Sequence, residues 1–75
     1  MRRITDWEEA ARVIARRIAK HSRLPLEKAD AGVSSVRGCI REIDLNGLLV
    51  VRDNMGREIA RVPESVLRGI ALPTG

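Results

Sequence analysis

Residues 43–51 read IDLNGLLVV, and this stretch decides the fold. Asn46-Gly47 is the dipeptide that best accepts the positive φ angles required at both central positions of a type I′ turn. Apolar residues flank it on both sides, so we expect a tight two-residue β-hairpin. The predicted cross-strand pairs are Leu45 with Leu48, Asp44 with Leu49, and Ile43 with Val50.

The strand after this turn is apolar on both faces, since Leu48-Leu49-Val50-Val51 contains no polar residue. A strand with one face in water alternates instead, so another layer of the protein must cover the second face. Upstream, the parity of the apolar residues changes between residues 36–40 and residues 43–45. This change predicts a bulge or sharp bend near Arg41 and Glu42.

Downstream, residues 53–56 predict a turn, and Arg57 to Val62 a third strand. Pro63 at a first helical position, with Gly69 as a stop, predicts one short helical or 3-10 turn. Residues 70–72 are then expected to form a short closing strand.

The N-terminal part predicts an amphipathic helix over residues 5–21. Thr5 followed by Glu8 has the spacing of a capping box, and the charges along the segment complement a helix dipole. Apolar residues and one histidine recur at spacings of three and four. These stripe residues are Trp7, Ala10, Ala11, Ile14, Ile18 and His21. We expect the stripe to cover the two-faced apolar strand.

Five of the 14 lysine and arginine residues lie between Arg12 and Arg23, a segment that contains no acidic residue. We call these five the cationic set: Arg12, Arg16, Arg17, Lys20 and Arg23. Arg12, Arg16 and Lys20 are four apart, so they should line the helix face opposite the apolar stripe. This set is the candidate phosphate-binding site. The alternative is a solvated face that keeps the protein soluble, with the abundance of arginine reflecting a GC-rich coding sequence.

Residues 22–35 form a connecting segment that contains Pro25, Gly32 and the pair Ser34-Ser35. Proline removes a donor from a β-ladder, so Leu24-Pro25-Leu26 fits either an edge strand or an extended tether. The residue pattern leaves both alternatives open.

A bent strand, two hairpins, a helical turn and a short last strand together resemble the SH3-like or Sm-like small barrel. Residues 38–50, Gly56 and Val66-Leu67 are similar to the Tudor-like C-terminal domain of ProQ-type RNA chaperones. They are also similar to the SH3-like C-terminal domain of biotin protein ligases. The resemblance implies an α+β fold in which the N-terminal helix packs on a small, strongly bent antiparallel β-barrel. Sm-like RNA-binding proteins share this order of helix before barrel.

The 75 residues correspond to one domain, residues 1–75, because a second hydrophobic core would not fit. Cys39 is the single cysteine, and a lone thiol favours a reducing compartment, so we expect a cytoplasmic protein. The basic N-terminus is not followed by an apolar run, so no signal peptide is expected. No segment approaches the roughly 18 apolar residues of a membrane span, and no stable membrane insertion is expected.

Catalysis and metal binding are not expected. His21 and Cys39 form the single histidine and cysteine pair, and nothing in the sequence brings them together. A structural zinc site needs four ligands, so no metal or other cofactor is predicted. Asp44, Asp53 and Glu58 match no cation-binding loop.

The first hypothesis is a small non-enzymatic nucleic-acid-binding or regulatory protein whose cationic set contacts phosphates of RNA or DNA. Trp7 is the single aromatic residue and lies on the apolar stripe, so stacking on bases is not expected. The alternative is a protein interaction module, or a homo-oligomeric subunit without nucleic-acid binding, that uses the helix or barrel edges to hold a partner such as an acidic protein surface. An adaptor at an anionic membrane surface comes third.

Overall fold

The computed structural model describes residues 6–36 and 42–71. Its elements confirm the α+β class, with an N-terminal helix, a three-stranded antiparallel sheet and a short 3-10 turn after the last strand. The three strands lie side by side in the order in which they occur along the chain. In chain order the elements are α1 (Trp7–Ser22), α2 (Leu26–Gly32), a first 3-10 turn (Val33–Val36), β1 (Glu42–Ile43), β2 (Leu48–Arg52), β3 (Glu58–Pro63) and a second 3-10 turn (Glu64–Leu67).

The predicted N-terminal helix is confirmed as α1. Its N-cap is Asp6, whose carboxylate accepts a hydrogen bond from the backbone N–H of Glu8 at 3.2 Å. Thr5, the predicted cap, lies outside the described residues. At the other end Arg23 adopts the left-handed conformation, with φ 54°, and its N–H donates to the carbonyl of Ala19. Acidic residues occupy the first turn and basic residues the last turn, as the helix dipole favours.

The connecting segment contains a helix that begins at Leu26, so the expectation of an edge strand at Leu24-Pro25-Leu26 was wrong and a tether could extend only to Pro25. Pro25 is the N-cap of α2, where a residue needs no N–H. Its carbonyl accepts from the backbone N–H groups of Lys28 and Ala29 at 3.0 and 3.1 Å. Leu, Glu, Lys and Ala are all good helix formers, and the helix buries Ala29 and Gly32 against the rest of the protein.

Gly32 allows α2 to approach the sheet closely. A Cβ atom at this position would lie 2.6 Å from Cγ1 of Val51 and 2.9 Å from Cδ1 of Ile59. Real Cβ atoms are not found that close to another side chain, and Val51 is fully buried. The absence of a side chain at residue 32 therefore sets how near the end of α2 lies to β2.

One hydrophobic core lies between the helices and a single face of the sheet. It buries Ile14 and Ile18 of α1 together with Leu49 and Val51 of β2, so the helix stripe and one face of this strand share a core. The backbone of α1 comes closer to β3 than to β2, and the first 3-10 turn, which directly follows α2, is the element that approaches β2. The other members of the core are Ala10, Ala15, Ala29, Val33, Val36, Val62, Val66, Leu67 and Ile70.

The second face of β2 is covered differently from what was expected. Val50 is also buried, although it does not belong to the core. It lies opposite Glu42 on β1 and Arg61 on β3. Side chains directly opposite in a sheet share a face, and long charged residues can lay their aliphatic stems over an apolar neighbour. Charged side chains rather than a second helix therefore flank this part of the strand.

The first hairpin is confirmed, but its turn type and register are not those predicted. Ile43 pairs with Leu49 and Glu42 with Val50, which shifts the predicted register by one residue. Gly47 has a φ of 79°, whereas the φ of Asn46 is not positive, so the turn is not type I′. The physical reason is Asp44, whose Oδ1 accepts from the backbone N–H of Asn46 at 2.8 Å and of Leu48 at 2.9 Å. These bonds stabilise a three-residue loop.

The second hairpin, between β2 and β3, has the same kind of loop. The predicted turn at residues 53–56 is thus confirmed. Asp53 Oδ1 accepts from the N–H groups of Met55 and Arg57, both at 2.9 Å, and Gly56 has a φ of 81°. Backbone hydrogen bonds, led by those from Leu48 and Arg57 respectively, hold the pKa values of Asp44 and Asp53 below their ordinary range. The third strand follows as predicted, one residue later at each end.

The described residues form an open sheet rather than a closed barrel. Most of the predicted bent strand, residues 37–41, lies outside them, and Val36 belongs to a 3-10 turn instead. The irregularity that the structure does contain falls between Val51 and Arg52. Of the predicted closing strand, Ile70 forms an isolated β-bridge, and residue 72 lies outside the described residues.

Replacing Ser35 by alanine tests how the first 3-10 turn is joined to the sheet. Ser35 Oγ donates to the carbonyl of Gly32 at 2.8 Å and accepts from the N–H of Arg52 at 3.0 Å. Ser35→Ala leaves this N–H without its acceptor, so we expect the free energy of unfolding to fall by about 1–2 kcal/mol. Urea denaturation measures the change.

Ser34→Ala is the matched control, because Ser34 is exposed and its hydroxyl makes no hydrogen bond to another described residue. We expect it to change the free energy of unfolding by less than about 0.5 kcal/mol. Equal stabilities of the two variants would show that the Ser35 bridge contributes nothing.

Candidate nucleic-acid interface

Four members of the cationic set are exposed. Arg12, Arg16 and Lys20 lie along the outer face of α1, opposite the fully buried Ile14 and Ile18, as their four-residue spacing predicts. Arg23, the fourth, is exposed at the end of the helix. The apolar face of the helix is buried in the core, so the row of cations on the opposite face is exposed.

Arg17, the fifth member, has a different environment. It is half-buried on the flank of α1, and its Nη1 donates to the carbonyl of Val66 at 2.8 Å and to that of Arg68 at 2.9 Å. These two bonds join α1 to the second 3-10 turn. Arg17 thus has a structural role that the sequence analysis did not foresee, because its acceptors are 49 and 51 residues away along the chain.

The acidic residues of the sheet are paired within the sheet. Glu42 binds Arg52 at 3.0 Å, and Arg61 binds both Asp44 and Glu58 at 2.9 Å. Asp53 binds Arg57 at 3.2 Å in the same way. The hydrogen bonds from Arg52 and Arg61 are also the main reason that the pKa values of Glu42 and Glu58 lie below their ordinary range.

Consequently the sheet does not neutralise the cationic set. Within residues 6–36 and 42–71 no carboxylate forms an ion pair with any of its five members. Within the described part of the chain, Arg16 makes one hydrogen bond, of 3.4 Å from its Nε to the carbonyl of Arg12 in its own helix. Among the described residues, the arginines that form ion pairs are therefore those of the sheet and its hairpins, Arg52, Arg57 and Arg61.

Two of the grooves formed by the described residues border α1, and they differ in charge. The groove towards α2 has a volume of about 560 Å³ and is lined by Arg12, Arg16, Leu26, Glu27 and Asp30. Its two carboxylates face the same space as the arginines and reduce the positive potential there. We call this the α2 groove.

The second groove lies between the C-terminal half of α1 and the second 3-10 turn, and we call it the turn groove. It has a volume of about 420 Å³ and is lined by Arg17, Lys20, His21, Pro63, Ser65 and Val66. No carboxylate lines it. Sequence reasoning missed Ser65 as a potential site residue, since it treated this serine only as part of a helical turn.

Trp7 is half-buried and packs against the core, as its place in the apolar stripe predicts. His21 is exposed, and Cys39, which was not expected to form a catalytic pair with it, lies outside the described residues. Among the residues that the structure describes, no three His, Cys, Asp or Glu side chains are grouped to hold a metal ion. None of the described helices is long and apolar enough to span a membrane.

Comparison of the chain with protein-family models, with curated proteins and with solved structures finds no match. The similarity to SH3-like and Sm-like barrels accordingly stays a prediction from the residues quoted above.

Replacing Arg17 by methionine tests its structural role. The substitution keeps an aliphatic stem but removes both bonds to the second 3-10 turn, so we expect the free energy of unfolding to fall by about 1–2 kcal/mol. Urea denaturation followed by the fluorescence of Trp7, the single tryptophan, gives this value.

Arg16→Met is the matched control, since Arg16 is exposed and bonds only within α1. We expect it to cost less than about 0.5 kcal/mol. If both variants lost the same stability, the bonds from Arg17 would not hold the turn.

Proposed function

We propose that the protein is a small non-enzymatic nucleic-acid-binding or regulatory protein that contacts backbone phosphates through the cationic set. The observation that carries the proposal is the separation of charges. The sheet acids have arginine partners in the sheet, and the cations of α1 have no carboxylate partner among the described residues. The proposal includes a cytoplasmic location, supported by the lone cysteine.

The partner that best fits is a phosphate backbone. Four of the five cations are arginines, whose guanidinium groups match phosphate oxygens in a two-pronged geometry. Trp7 packs on the core, so it does not offer a platform for bases. Contacts with phosphates alone position a nucleic acid without reading its sequence, and we expect binding with little sequence preference.

A second candidate function is self-association through the α2 groove. Leu26 is 53% exposed there, with arginines of α1 on one side and Glu27 and Asp30 on the other. A two-fold arrangement brings the basic wall of one copy against the acidic wall of the other. This candidate competes with nucleic acid for Arg12 and Arg16.

The small-barrel fold is part of the proposal as well. A meander of three strands, the 3-10 turn after β3 and the β-bridge at Ile70 support it. An experimental structure in which residues 37–41 pair with the chain around Ile70 would establish closure.

Salt dependence of binding tests the function. If all five cations reach phosphates, the logarithm of the association constant for duplex DNA should fall against the logarithm of salt concentration with a slope of about −4 to −5. If Arg17 stays on its two carbonyls, four contacts should reduce the slope to about −3.6. Fluorescence anisotropy with generic RNA and DNA measures both values.

Absence of binding at low salt would refute the proposal. Light scattering on the same samples separates it from the second candidate. A monomer with salt-dependent binding agrees with the first function, whereas a stable dimer that ignores nucleic acid agrees with self-association.

Arg23→Gly separates binding from folding. Glycine is the preferred residue at a left-handed helix end, so the free energy of unfolding should stay constant or rise by up to about 1 kcal/mol. Binding should nevertheless weaken, and the negative salt slope for duplex DNA should become less steep by about 0.9, because one phosphate contact is lost. Denaturation and anisotropy measure the two effects.

Arg57→Gln serves as the control for net charge. Arg57 is already paired with Asp53 in the second hairpin, away from α1. We expect this substitution to leave the salt slope unchanged. An equal loss of DNA affinity in Arg57→Gln and Arg23→Gly would mean that only the net charge of the protein matters.

A further inference from the structure

The turn groove is the place where the cationic side of α1 meets a second element of the chain. Arg17, Lys20 and His21 contribute nitrogen donors from the helix, and Ser65 contributes a hydroxyl from the second 3-10 turn. Its wall thus combines cationic groups with a neutral donor. A tetrahedral anion such as phosphate accepts hydrogen bonds from groups of this kind.

The turn groove also differs from the other described grooves in lacking carboxylates. Glu27 and Asp30 line the α2 groove, and a further groove between α2 and the second hairpin includes Glu27, Asp53 and Glu58 in its lining. An anion entering either of these meets negative charge at close range. No carboxylate lines the turn groove, although the exposed Glu64 neighbours its lining residues Pro63 and Ser65 in the chain. Of the three described grooves it is therefore the most favourable for a phosphate.

Arg17 is held in a fixed position at this groove. Its Nη1 is fastened by the carbonyls of Val66 and Arg68, and its Nε and Nη2 have no acceptor among the described residues. The guanidinium therefore keeps its charge at the wall of the groove without needing to be ordered when an anion arrives. Such preorganisation reduces the entropic cost of binding.

We propose that the turn groove holds one phosphate group, with Lys20 and His21 donating from α1, Ser65 donating from the second 3-10 turn, and Arg17 supplying fixed positive charge. This inference rests on the proposed function and names the place on α1 where a phosphate of the nucleic acid is seated. Arg12, Arg16 and Arg23 would then contact neighbouring phosphates more loosely.

Titration with inorganic phosphate, followed by the backbone amide signals in NMR spectra, tests the groove without any nucleic acid. The largest shifts should fall at Lys20, His21, Ser65 and Val66, and sodium chloride at equal ionic strength should not reproduce them. Shifts spread evenly along α1, or no shifts beyond those with chloride, would overturn the proposal.

Two matched pairs of variants sharpen this test. Lys20→Met and Lys28→Met remove the two lysines of the chain in turn, with the same change of charge. Lys28 lines the groove that contains Asp53 and Glu58, so its loss should leave phosphate affinity unchanged. Loss of Lys20 removes a charge-assisted bond and should weaken phosphate binding about tenfold. An equal loss of phosphate affinity in Lys20→Met and Lys28→Met would contradict the assignment of the phosphate to the turn groove.

Ser65→Ala and Ser34→Ala form the second pair. Both serines are exposed, and the hydroxyl of neither bonds another described residue, so neither change should alter stability. Ser65→Ala should weaken binding about threefold by removing one neutral donor, and it should leave the salt slope unchanged. Unchanged affinity in Ser65→Ala would refute the role of Ser65.

Oligonucleotides with a 5′-phosphate or a 5′-hydroxyl distinguish the two sources of the phosphate. A preference for the 5′-phosphate means that the groove takes a terminal monoester, and equal affinity means that it takes an internal diester. Both outcomes agree with the proposal when Lys20→Met and Ser65→Ala weaken binding. If nucleic acid binds and neither variant matters, the groove assignment fails and the proposed function stands. If phosphate binds in the groove and nucleic acid does not bind, the groove is a phosphate site and the proposed function fails.

Discussion

The packing of one face of α1 against the sheet is the constraint on which the other features depend. Ile14 and Ile18 are fully buried beside Leu49, Val51 and Val62, and no Phe or Tyr is present to fill the space between the layers. Small and β-branched side chains fill a core only when the backbones come close, because gaps in a core forfeit dispersion contacts. Gly32 provides one such approach, at the point where α2 meets β2.

Once that face of α1 is buried, the distribution of charge follows. The sheet has its own closed set of ion pairs, which flank the buried Val50 on the side away from the helices. Arg61, held by Asp44 and Glu58, joins the first hairpin to β3. Because these acids already have partners, they are not free to bend towards α1. The same charges that flank the strand therefore leave the helix cations to solvent.

The elements that sequence could predict are those specified by local patterns. The 3.6-residue period of α1, the turn at residues 53–56 and the short turn after Pro63 all depend on neighbours in the chain. The prediction failed where one side chain decided between similar local structures. Asp44 accepts two backbone hydrogen bonds and so replaces the turn that Asn46-Gly47 favours. Before α2, Pro25 predicted an edge strand or an extended tether, although a proline is equally compatible with the start of a helix, where its missing N–H costs nothing.

In the candidate site, too, some residues could be predicted from local spacing and others could not. The exposed row of Arg12, Arg16 and Lys20 follows from spacing alone, and the structure has it where the spacing predicts. Arg17 could not be distinguished from these residues by sequence, because its carbonyl partners at Val66 and Arg68 are brought to it only by the tertiary fold. Ser65 was missed for the same reason. A pairing that spans about fifty residues leaves no periodic signal.

The helix dipole offers a competing explanation for the basic residues, and it accounts for only some of them. Cations in the last turn of a helix are stabilised by the partial negative charge of the free carbonyl groups, which explains Lys20. That effect falls off within one turn, so Arg12 and Arg16 in the middle of α1 gain nothing from it. At a spacing of four residues they instead repel each other, at a cost of a few tenths of a kcal/mol. Local stability thus favours the cations at the end of the helix and opposes those in its middle. Across the α2 groove, however, Glu27 and Asp30 share a space with this pair and offset part of the repulsion. The proposed phosphate contact is one explanation for the pair, and a solvated face that keeps the protein soluble is the other.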